Sequence, residues 1–161
     1  MTIYSGEGPA ENAELRVEYS YDACGNRTGF VLRKDNTAQL SQSYAYDAQN
    51  RLWKVRRGGV QIAEYGYDAN GNRELLRYPQ SGLETRYGYN GANLVSWLEQ
   101  SKDGQPRARW EYEYNLDGGQ REKRDRDGAT SYTYDALGRL KRESRPGGEV
   151  AEYTYDHCSN G

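Results

Sequence analysis

The sequence predicts an all-β protein, a continuous antiparallel series of β-hairpin repeats of about 22 residues each that forms a curved or spiralling β-sheet ribbon. Three observations support this prediction. Tyrosine pairs recur at nearly constant spacing, apolar and polar residues alternate before each pair, and clusters of Gly, Asp and Asn lie between the alternating segments. No segment of the sequence has the periodicity of an amphipathic helix.

The composition indicates a folded chain that buries tyrosine rings. Leu, Ile, Val and Phe make up only 21 of the 161 residues, a fraction typical of disordered proteins. The formal net charge is only −2 and 12% of the residues are aromatic, however, including 16 tyrosines. Disordered chains are poor in aromatic residues and strongly charged. We therefore expect broad, partly hydrated sheet surfaces built from tyrosine.

The strongest signal is a Tyr-x-Tyr triplet that occurs seven times, with spacings of 25, 21, 22, 25, 20 and 21 residues. The paired tyrosines are Tyr19 and Tyr21, Tyr44 and Tyr46, Tyr65 and Tyr67, Tyr87 and Tyr89, Tyr112 and Tyr114, Tyr132 and Tyr134, and Tyr153 and Tyr155. Recurrence at a fixed period is the signature of a repeat array. We expect residues 1–161 to form a single array of six to seven units.

Each triplet ends a strand that has one buried face. Before the first triplet, Leu15, Val17, Tyr19 and Tyr21 alternate with polar residues, which is the period of a half-buried strand. The residue between the two tyrosines is small in most copies. A small residue there leaves room for a ring or another layer on the opposite face of the sheet.

The residues after each triplet predict a turn. An Asp or Asn side chain can accept a hydrogen bond from the N–H two residues on, and a following Gly supplies a positive φ. We expect the arginine that comes next to pair with the turn acid or to stack on tyrosine. The motif acids are Asp22, Asp47, Asp68, Asp135 and Asp156, the amides Asn90 and Asn115, the glycines Gly25, Gly71, Gly118 and Gly138, and the arginines Arg27, Arg51, Arg73, Arg121 and Arg139. A second strand and a second turn, such as "KDNT" or "KDGQ", complete each hairpin.

The segments "YDACGNRTGF", "YDANGNREL" and "YDALGRLKRE" resemble the YD-repeat, or RHS-repeat, whose pattern is Tyr-Asp, two free residues, Gly, Arg and an apolar residue. The resemblance covers nearly the whole chain. Some copies depart from the pattern: "YDAQNRL" has Asn50 in place of glycine, "YNGANLV" reads as one residue short, and "YNLDGGQREK" reads as one residue long. Such drift is expected of a scaffold.

The resemblance implies a β-sheet ribbon that spirals into a hollow shell, of which this chain is an arc. Members of the family are mostly large exported bacterial proteins, including polymorphic and insecticidal toxins, with animal teneurins as relatives. In the toxins the shell encloses a C-terminal toxin domain. We therefore expect a fragment of a larger secreted or cell-surface protein, with the remainder of that protein as its partner. The family's Pro- and Asp-rich protease motif and a signal peptide are absent from the sequence.

Composition and patterning disfavour two other kinds of partner. Charges of both signs are interspersed, so no nucleic-acid partner is expected. No apolar run approaches the length of a membrane-spanning helix, so no membrane insertion is expected. An array without visible capping units exposes strand edges, which makes edge-to-edge self-association a further expectation.

Metal binding and catalysis are also disfavoured. Asp68, Asn70 and Asn72 resemble the start of a calcium loop, but an EF-hand needs Glu at position twelve, where this chain has Pro79. An Asx-type turn is the favoured interpretation. His157, Cys158 and Cys24 are too few to complete a four-ligand zinc site. Because the motif Asp and Arg recur in many units, whereas an active site occurs once, we predict no enzymatic activity, no catalytic or metal-binding residue and no cofactor.

Three tryptophans fall outside the repeat pattern, and they are Trp53, Trp97 and Trp110. Packing is the favoured role for these rings. The alternative is a carbohydrate-binding or adhesive module in which exposed Trp and Tyr rings stack on sugars.

Overall fold

The computed structural model describes residues 2–4 and 14–156. The chain divides into two compact units, residues 1–84 and residues 85–161. The described part of each unit consists of antiparallel strands in chain order, which confirms the all-β class and the hairpin repeats. The curvature of the ribbon and the single array over residues 1–161 stay predictions.

In the first unit, seven described strands each pair with the next strand along the chain. These strands are β1 (Thr2–Tyr4), β2 (Leu15–Tyr21), β3 (Arg27–Lys34), β4 (Thr37–Tyr46), β5 (Leu52–Arg57), β6 (Val60–Tyr67) and β7 (Arg73–Tyr78). The predicted alternating segment before the first triplet is therefore a strand, β2.

The second unit continues the same architecture, and its first strand begins two residues before the boundary between the units. Its strands are β8 (Leu83–Tyr89), β9 (Val95–Lys102), β10 (Gln105–Tyr114), β11 (Gln120–Asp125), β12 (Gly128–Tyr134), β13 (Leu140–Ser144) and β14 (Val150–Glu152). A single 3-10 turn, Pro146–Gly148, separates β13 from β14, and it is the only helical element in the described residues.

A β-bulge follows the turn of the motif, at the second residue of the next strand. In the second motif Ala45 pairs with Lys54 and Tyr46 pairs with Leu52, which leaves Trp53 as an extra residue in β5. The equivalent extra residues in other motifs are Thr28, Glu74, Arg121 and Lys141. A bulge bends its strand and increases the local twist. The motif therefore combines a bulge with a tight turn at the same edge of the sheet.

The sheet of each unit has one face that carries the tyrosines, called the tyrosine face below. Residues directly opposite each other across two strands share a face, and Tyr44 is opposite Val55, which is opposite Ala63. Val55 and Ala63 are only 8% and 6% exposed, and they are the buried apolar residues of the described chain. Because no large side chain among the described residues is fully buried, the core is thin, and the tyrosines of residues 14–156 are half-buried or exposed.

The opposite face, called the charged face, carries ion pairs that cross the strands. In the first unit Glu64 lies 3.7 Å from both Lys54 and Arg77, and Arg77 also binds Glu84 at 2.8 Å. In the second unit Arg109 binds Glu99 at 3.3 Å. These side chains are partly exposed, so each pair contributes about 0–1 kcal/mol to stability. The charged face is thus a polar surface on which ion pairs connect neighbouring strands.

Hairpin length follows a pattern that repeats every three motifs. β3 and β4 contain 8 and 10 residues, and so do β9 and β10. These long hairpins correspond to the two 25-residue spacings between tyrosine triplets. Their ends extend past the next hairpin, because residues 37–40 pair only with β3 and residues 105–110 pair only with β9. Each unit therefore has one overhanging hairpin.

The small residue between the tyrosines has a packing role in the fourth motif, where it is Gly88. A Cβ atom added to Gly88 would lie 1.9 Å from Nε1 of Trp97, so the indole ring packs directly on the glycine. We predict that Gly88→Ala lowers the free energy of unfolding by about 1–3 kcal/mol because it overpacks this contact. Urea denaturation measures the change.

Gly91→Ala is the matched control for this substitution. Gly91 has no positive φ, and an added Cβ would meet no atom within 4 Å. We expect it to be neutral or slightly stabilising, because alanine reduces the entropy of the unfolded chain. Equal stability of the two variants would contradict the packing role of Gly88.

Candidate functional site

The candidate site is the turn that follows the tyrosine triplet, because the same turn recurs in successive motifs. In the third motif the N–H of Asp68 donates to the carbonyl of Asn72 at 2.9 Å, and the N–H of Gly71 donates to the carbonyl of Asp68 at 3.1 Å. The same two backbone bonds close the turns that begin at Asp22, Asp47, Asn90, Asn115 and Asp135. All six turns therefore contain five residues.

The first residue of the turn fixes its backbone with its side chain. Oδ1 of Asp68 accepts hydrogen bonds from the N–H groups of Asn70 and Asn72 at 2.9 and 2.8 Å. Four other turns contain the same pair of bonds, at Asp22, Asp47, Asn90 and Asp135. Asn90 shows that an amide oxygen replaces the carboxylate without loss of these two bonds. Sequence reasoning predicts the first bond of each pair but not the second.

The fifth residue of the turn binds the second carboxylate oxygen. Arg51 and Arg139 donate from Nε to Oδ2 of Asp47 and Asp135, both at 2.7 Å. In two other motifs an asparagine occupies this position, and Asn26 donates to Asp22 Oδ2 at 3.0 Å. Asn72 does the same to Asp68 at 3.1 Å. The motif arginine thus falls inside the turn in some copies and after it in others, which the sequence pattern alone does not reveal.

The fourth residue of the turn adopts a left-handed conformation in all six copies. Glycine provides it at Gly25, Gly71, Gly118 and Gly138, and asparagine provides it at Asn50 and Asn93, with φ values of 60° and 59°. Asparagine tolerates this region better than most residues. The sequence interpretation of "YNGANLV" as one residue short and "YNLDGGQREK" as one residue long was wrong. Both turns have the common length, and only the positions of Gly and Arg differ.

The second tyrosine of the triplet connects one motif to the previous one. Tyr67 donates from its hydroxyl to the carbonyl of Leu52, the first residue of β5, at 2.8 Å. Each of these carbonyls belongs to the first residue of the preceding strand, and the other pairs are Tyr46 to Arg27, Tyr114 to Val95, Tyr134 to Gln120 and Tyr155 to Leu140. The contact was missed from sequence, because the separation of the two residues along the chain varies from 14 to 19 residues.

The motif arginine braces the same junction in two copies. The guanidinium of Arg51 lies 4.5 Å from the ring centre of Tyr67, and Arg139 lies at the same distance from Tyr155. Arg27 instead lies 4.9 Å from Tyr44, the first tyrosine of the next triplet. Arg121 pairs with Glu113 on the charged face. Both predicted uses of arginine, pairing with the turn acid and stacking on tyrosine, therefore occur together at Arg51 and Arg139.

Hydrogen bonds to the turn acids lower their pKa values. For Asp22 the largest cause is the side-chain bond from Asn26, and for Asp135 it is the backbone N–H of Arg139. For Asp47 and Asp68 desolvation is the largest single effect and raises the pKa, but the bonds from the turn together outweigh it. All four carboxylates are therefore held in the charged form.

The three tryptophans occupy different environments. Trp97 lies on the charged face between Gly88 and the guanidinium of Arg109, which is 4.8 Å from its ring centre. Trp53 is the extra residue of a bulge and is 42% exposed, with Lys54 Nζ 3.6 Å from its ring centre. Trp110 lies on the opposite face from Trp97 and lines a notch beside β10. Within the second unit, Trp97 and Trp110 therefore do not share one surface.

The other sequence candidates form no cluster. No group of three or more His, Cys, Asp or Glu side chains among the described residues could hold a metal ion. Cys24 is an exposed free thiol, while His157 and Cys158 lie outside the described residues. Within the described chain no helix is long and apolar enough to cross a membrane.

Comparison with known families identifies the repeat. The model of the Teneurin YD-shell family matches residues 10–160. The chain belongs to the YD-shell family, and the resemblance to YD-repeat proteins is confirmed. With its fold, this makes the chain a structural segment of a YD shell.

Curated relatives include the Toxin protein Tse5 of Pseudomonas aeruginosa, which is 30% identical over 144 residues, 86% of this chain and 10% of Tse5. The Probable deoxyribonuclease RhsB of Dickeya dadantii is 28% identical over 138 residues, 85% of this chain and 8% of RhsB. The chain thus spans about a tenth of the length of these relatives.

Solved structures share the fold. The crystal structure of TcdB2-TccC3-Cdc42 matches with a TM-score of 0.69 at 19% identity, over 83% of this chain and 7% of that chain. The crystal structure of TcdB2-TccC3 matches with the same TM-score at 18% identity, again over 83% of this chain and 7% of that chain. The two matches extend the fold assignment to crystal structures of much longer chains.

The tyrosine hydroxyl bond can be tested with a paired substitution in β6. Tyr67→Phe keeps the ring but leaves the Leu52 carbonyl without its donor, so we expect a loss of about 0.5–1.5 kcal/mol in the free energy of unfolding. Tyr65→Phe is the control, because its hydroxyl makes no hydrogen bond in the described structure. Chemical denaturation of both variants distinguishes the cases, and equal losses would contradict the specific role of Tyr67.

The lowered pKa values of the turn acids predict acid sensitivity. Their folded pKa values lie below the unfolded value of about 3.9, so their contribution to stability is present above about pH 4 and is lost as the pH falls through the folded values. We expect the urea midpoint to fall between pH 5 and pH 2.5. A variant with Asn at positions 22, 47, 68 and 135 keeps the Oδ1 bonds and should show a flatter dependence. An unchanged slope would contradict this origin.

Proposed function

We propose that this chain is a stretch of the wall of a closed β-sheet shell in a larger, exported toxin-like protein, where it encloses or presents another domain of that protein. The observation that carries the proposal is the repetition of one turn geometry in all six described motifs. A structural scaffold requires the same backbone geometry in each repeat but tolerates different side chains. A single reaction site requires the opposite, one arrangement with fixed chemistry.

The two faces of the sheet support a wall. A wall separates two environments, and the tyrosine face and the charged face differ in chemistry within each unit. Neither face is covered by a second layer in the described residues of either unit, which leaves both available to what lies inside and outside. The identity of the relatives supports the exported, toxin-like context, since one is named a toxin and one a probable deoxyribonuclease.

No enzymatic role is proposed for this segment. The activity in the name of RhsB belongs to that protein, of which this chain covers 8%. The repeated Asp and Arg bind each other and the turn backbone, which occupies the groups that an acid–base mechanism would need to be free.

Cysteine labelling in the longer parent protein tests enclosure. Val60 and Ser43 are exposed and lie on the tyrosine face and the charged face of the first unit, respectively. Each is replaced by Cys in a background in which Cys24 and Cys158 are Ser, and the native parent is treated with a 5-kDa maleimide polymer. We expect one position to react and the other to be protected until the protein is denatured.

The isolated 161-residue chain is the control, and both positions should react in it. If a cysteine is protected from labelling in the parent but reacts in the isolated chain, the protection results from enclosure in the parent. If both positions react at equal rates in the native parent, the segment does not form a closed wall.

A second candidate function is carbohydrate binding, which the exposure of Trp53 favours. The bulge position that Trp53 occupies holds Thr28, Glu74, Arg121 or Lys141 in other motifs, so scaffold packing does not require an aromatic ring there. Trp97 is a poor candidate because Gly88 and Arg109 contact its ring.

A glycan array tests this alternative with matched variants. Reproducible binding that Trp53→Ala removes and Trp97→Phe preserves would support it. Absence of binding by the wild-type chain would leave the scaffold function alone.

A further inference from the structure

The strongest unexplained feature is a notch in the second unit, beside the overhanging part of β10. Its volume is about 680 Å³, and it is lined by β10 from Pro106 to Glu111 and by the β11–β12 turn from Arg124 to Asp127. Residues 105–110 pair with β9 on one side, but none of them pairs with β11, whose ladder with β10 starts at Glu111. The notch therefore contains the open side of a paired strand.

The first unit shows what fills the equivalent position. There, Gln42 pairs with Arg57, and the carbonyl of Ser41 accepts a hydrogen bond from the N–H of Gly58 at 3.0 Å. In the second unit the register of β10 with β11 starts at Glu111, so the equivalent of the Gln42 pair, which would join Trp110 to Asp125, is not formed. Asp125 instead binds Lys123 at 3.0 Å and accepts the N–H of Asp127.

The free backbone groups in the notch follow from the strand geometry. The N–H and C=O of one strand residue point to the same edge, and those of the next residue point to the opposite edge. Ser41 lies three residues before Tyr44, and Arg109 lies three residues before Tyr112. Because Ser41 points its carbonyl toward β5, Arg109 points its N–H and C=O into the notch. These groups have no partner among the described residues.

The charges around the notch indicate the side chains of an occupant. Its three acids are engaged by cations: Glu111 by Arg109 at 3.1 Å, Asp125 by Lys123, and Asp127 by Arg126 at 3.5 Å. Arg107 is exposed and has no acidic partner in the described structure. An unmatched guanidinium at the open side favours a carboxylate on the occupant. The Trp110 ring offers an apolar contact beside it.

We propose that the notch binds an extended, acidic peptide segment, which adds a short strand to β10 and pairs with the backbone of Arg109. Strand addition to an exposed edge obtains affinity from main-chain hydrogen bonds and selectivity from alternate side chains. In this site a carboxylate meets Arg107 and an apolar side chain packs on Trp110. The proposal goes beyond the shell function, because it assigns the wall a point of attachment for another segment.

Fluorescence anisotropy with the 161-residue chain tests the proposal. The probe is a fluorescein-labelled peptide of sequence Val-Glu-Val-Glu-Val, capped at its C-terminus. Its control is the same peptide with N-methyl groups on alternate backbone nitrogens, which has equal charge but cannot pair. We expect the first peptide to bind and the N-methylated peptide to bind at least about tenfold more weakly, the loss of one or two hydrogen bonds.

Two substitutions of Arg109 distinguish the contribution of its backbone N–H to binding from that of its side chain. Arg109→Pro removes the N–H that faces the notch, and proline is tolerated where the N–H is not part of the ladder. Arg109→Ala removes the side chain but keeps the N–H. We expect binding to fall at least about tenfold in the proline variant relative to the alanine variant. Circular dichroism checks that both variants fold. If either variant does not fold, the binding of the two peptides to the wild-type chain tests the proposal.

Three results would overturn the proposal. No binding at millimolar peptide shows that the edge does not accept a strand. Equal binding of the two peptides shows attraction between charges alone. Sedimentation that reveals a dimer of the wild-type chain, lost in Arg109→Pro, shows that a second copy of the chain occupies the notch instead.

Discussion

The hydrogen bond from the second tyrosine to the first carbonyl of the preceding strand is the contact on which the repeat depends. The ladder between β5 and β6 stops at Lys54, two residues short of the start of β5 at Leu52. The carbonyl of Leu52 then has no strand partner, and the Tyr67 hydroxyl supplies the missing donor. Phenylalanine could fill the same space but could not satisfy the carbonyl, which explains the need for tyrosine at the second position of these triplets.

This contact also explains how a thin sheet is stable. Only Val55, Ala63 and Thr130 are buried among the described residues, so a large aliphatic core does not contribute. Stability is instead distributed over equivalent junctions, each with a tyrosine bond, a capped turn and, in two copies, a stacked arginine. In an array whose units contact only their neighbours, total stability is approximately the sum of such junctions. Loss of one junction therefore weakens the array without abolishing it.

The sequence predicted the strands, the turns and the tyrosine face, because each depends on residues close together in the chain. Alternation located β2, and Asp followed by Gly located the turns. Sequence patterns are insufficient where the position of a residue in the turn matters more than its type. Arg51 and Asn26 play the same part because both are the fifth residue of a turn, and Asn93 replaces glycine because of its φ value. The notch could not be predicted, because it depends on the register of Trp110 relative to Asp125.

The position of a residue in the motif also decides whether the scaffold requires it or leaves it free to change. The turn residues bind backbone atoms, so their replacements must keep an oxygen acceptor or a left-handed conformation. The bulge residue and the exposed middle of the turn have no such requirement, and there the chain carries Trp53, Leu116 and Leu137, the last two 111% and 76% exposed. Neighbouring repeats can therefore carry different surface side chains on the same backbone. An array that varies only at such positions can acquire a binding site in one repeat while every other repeat keeps its structural role in the wall.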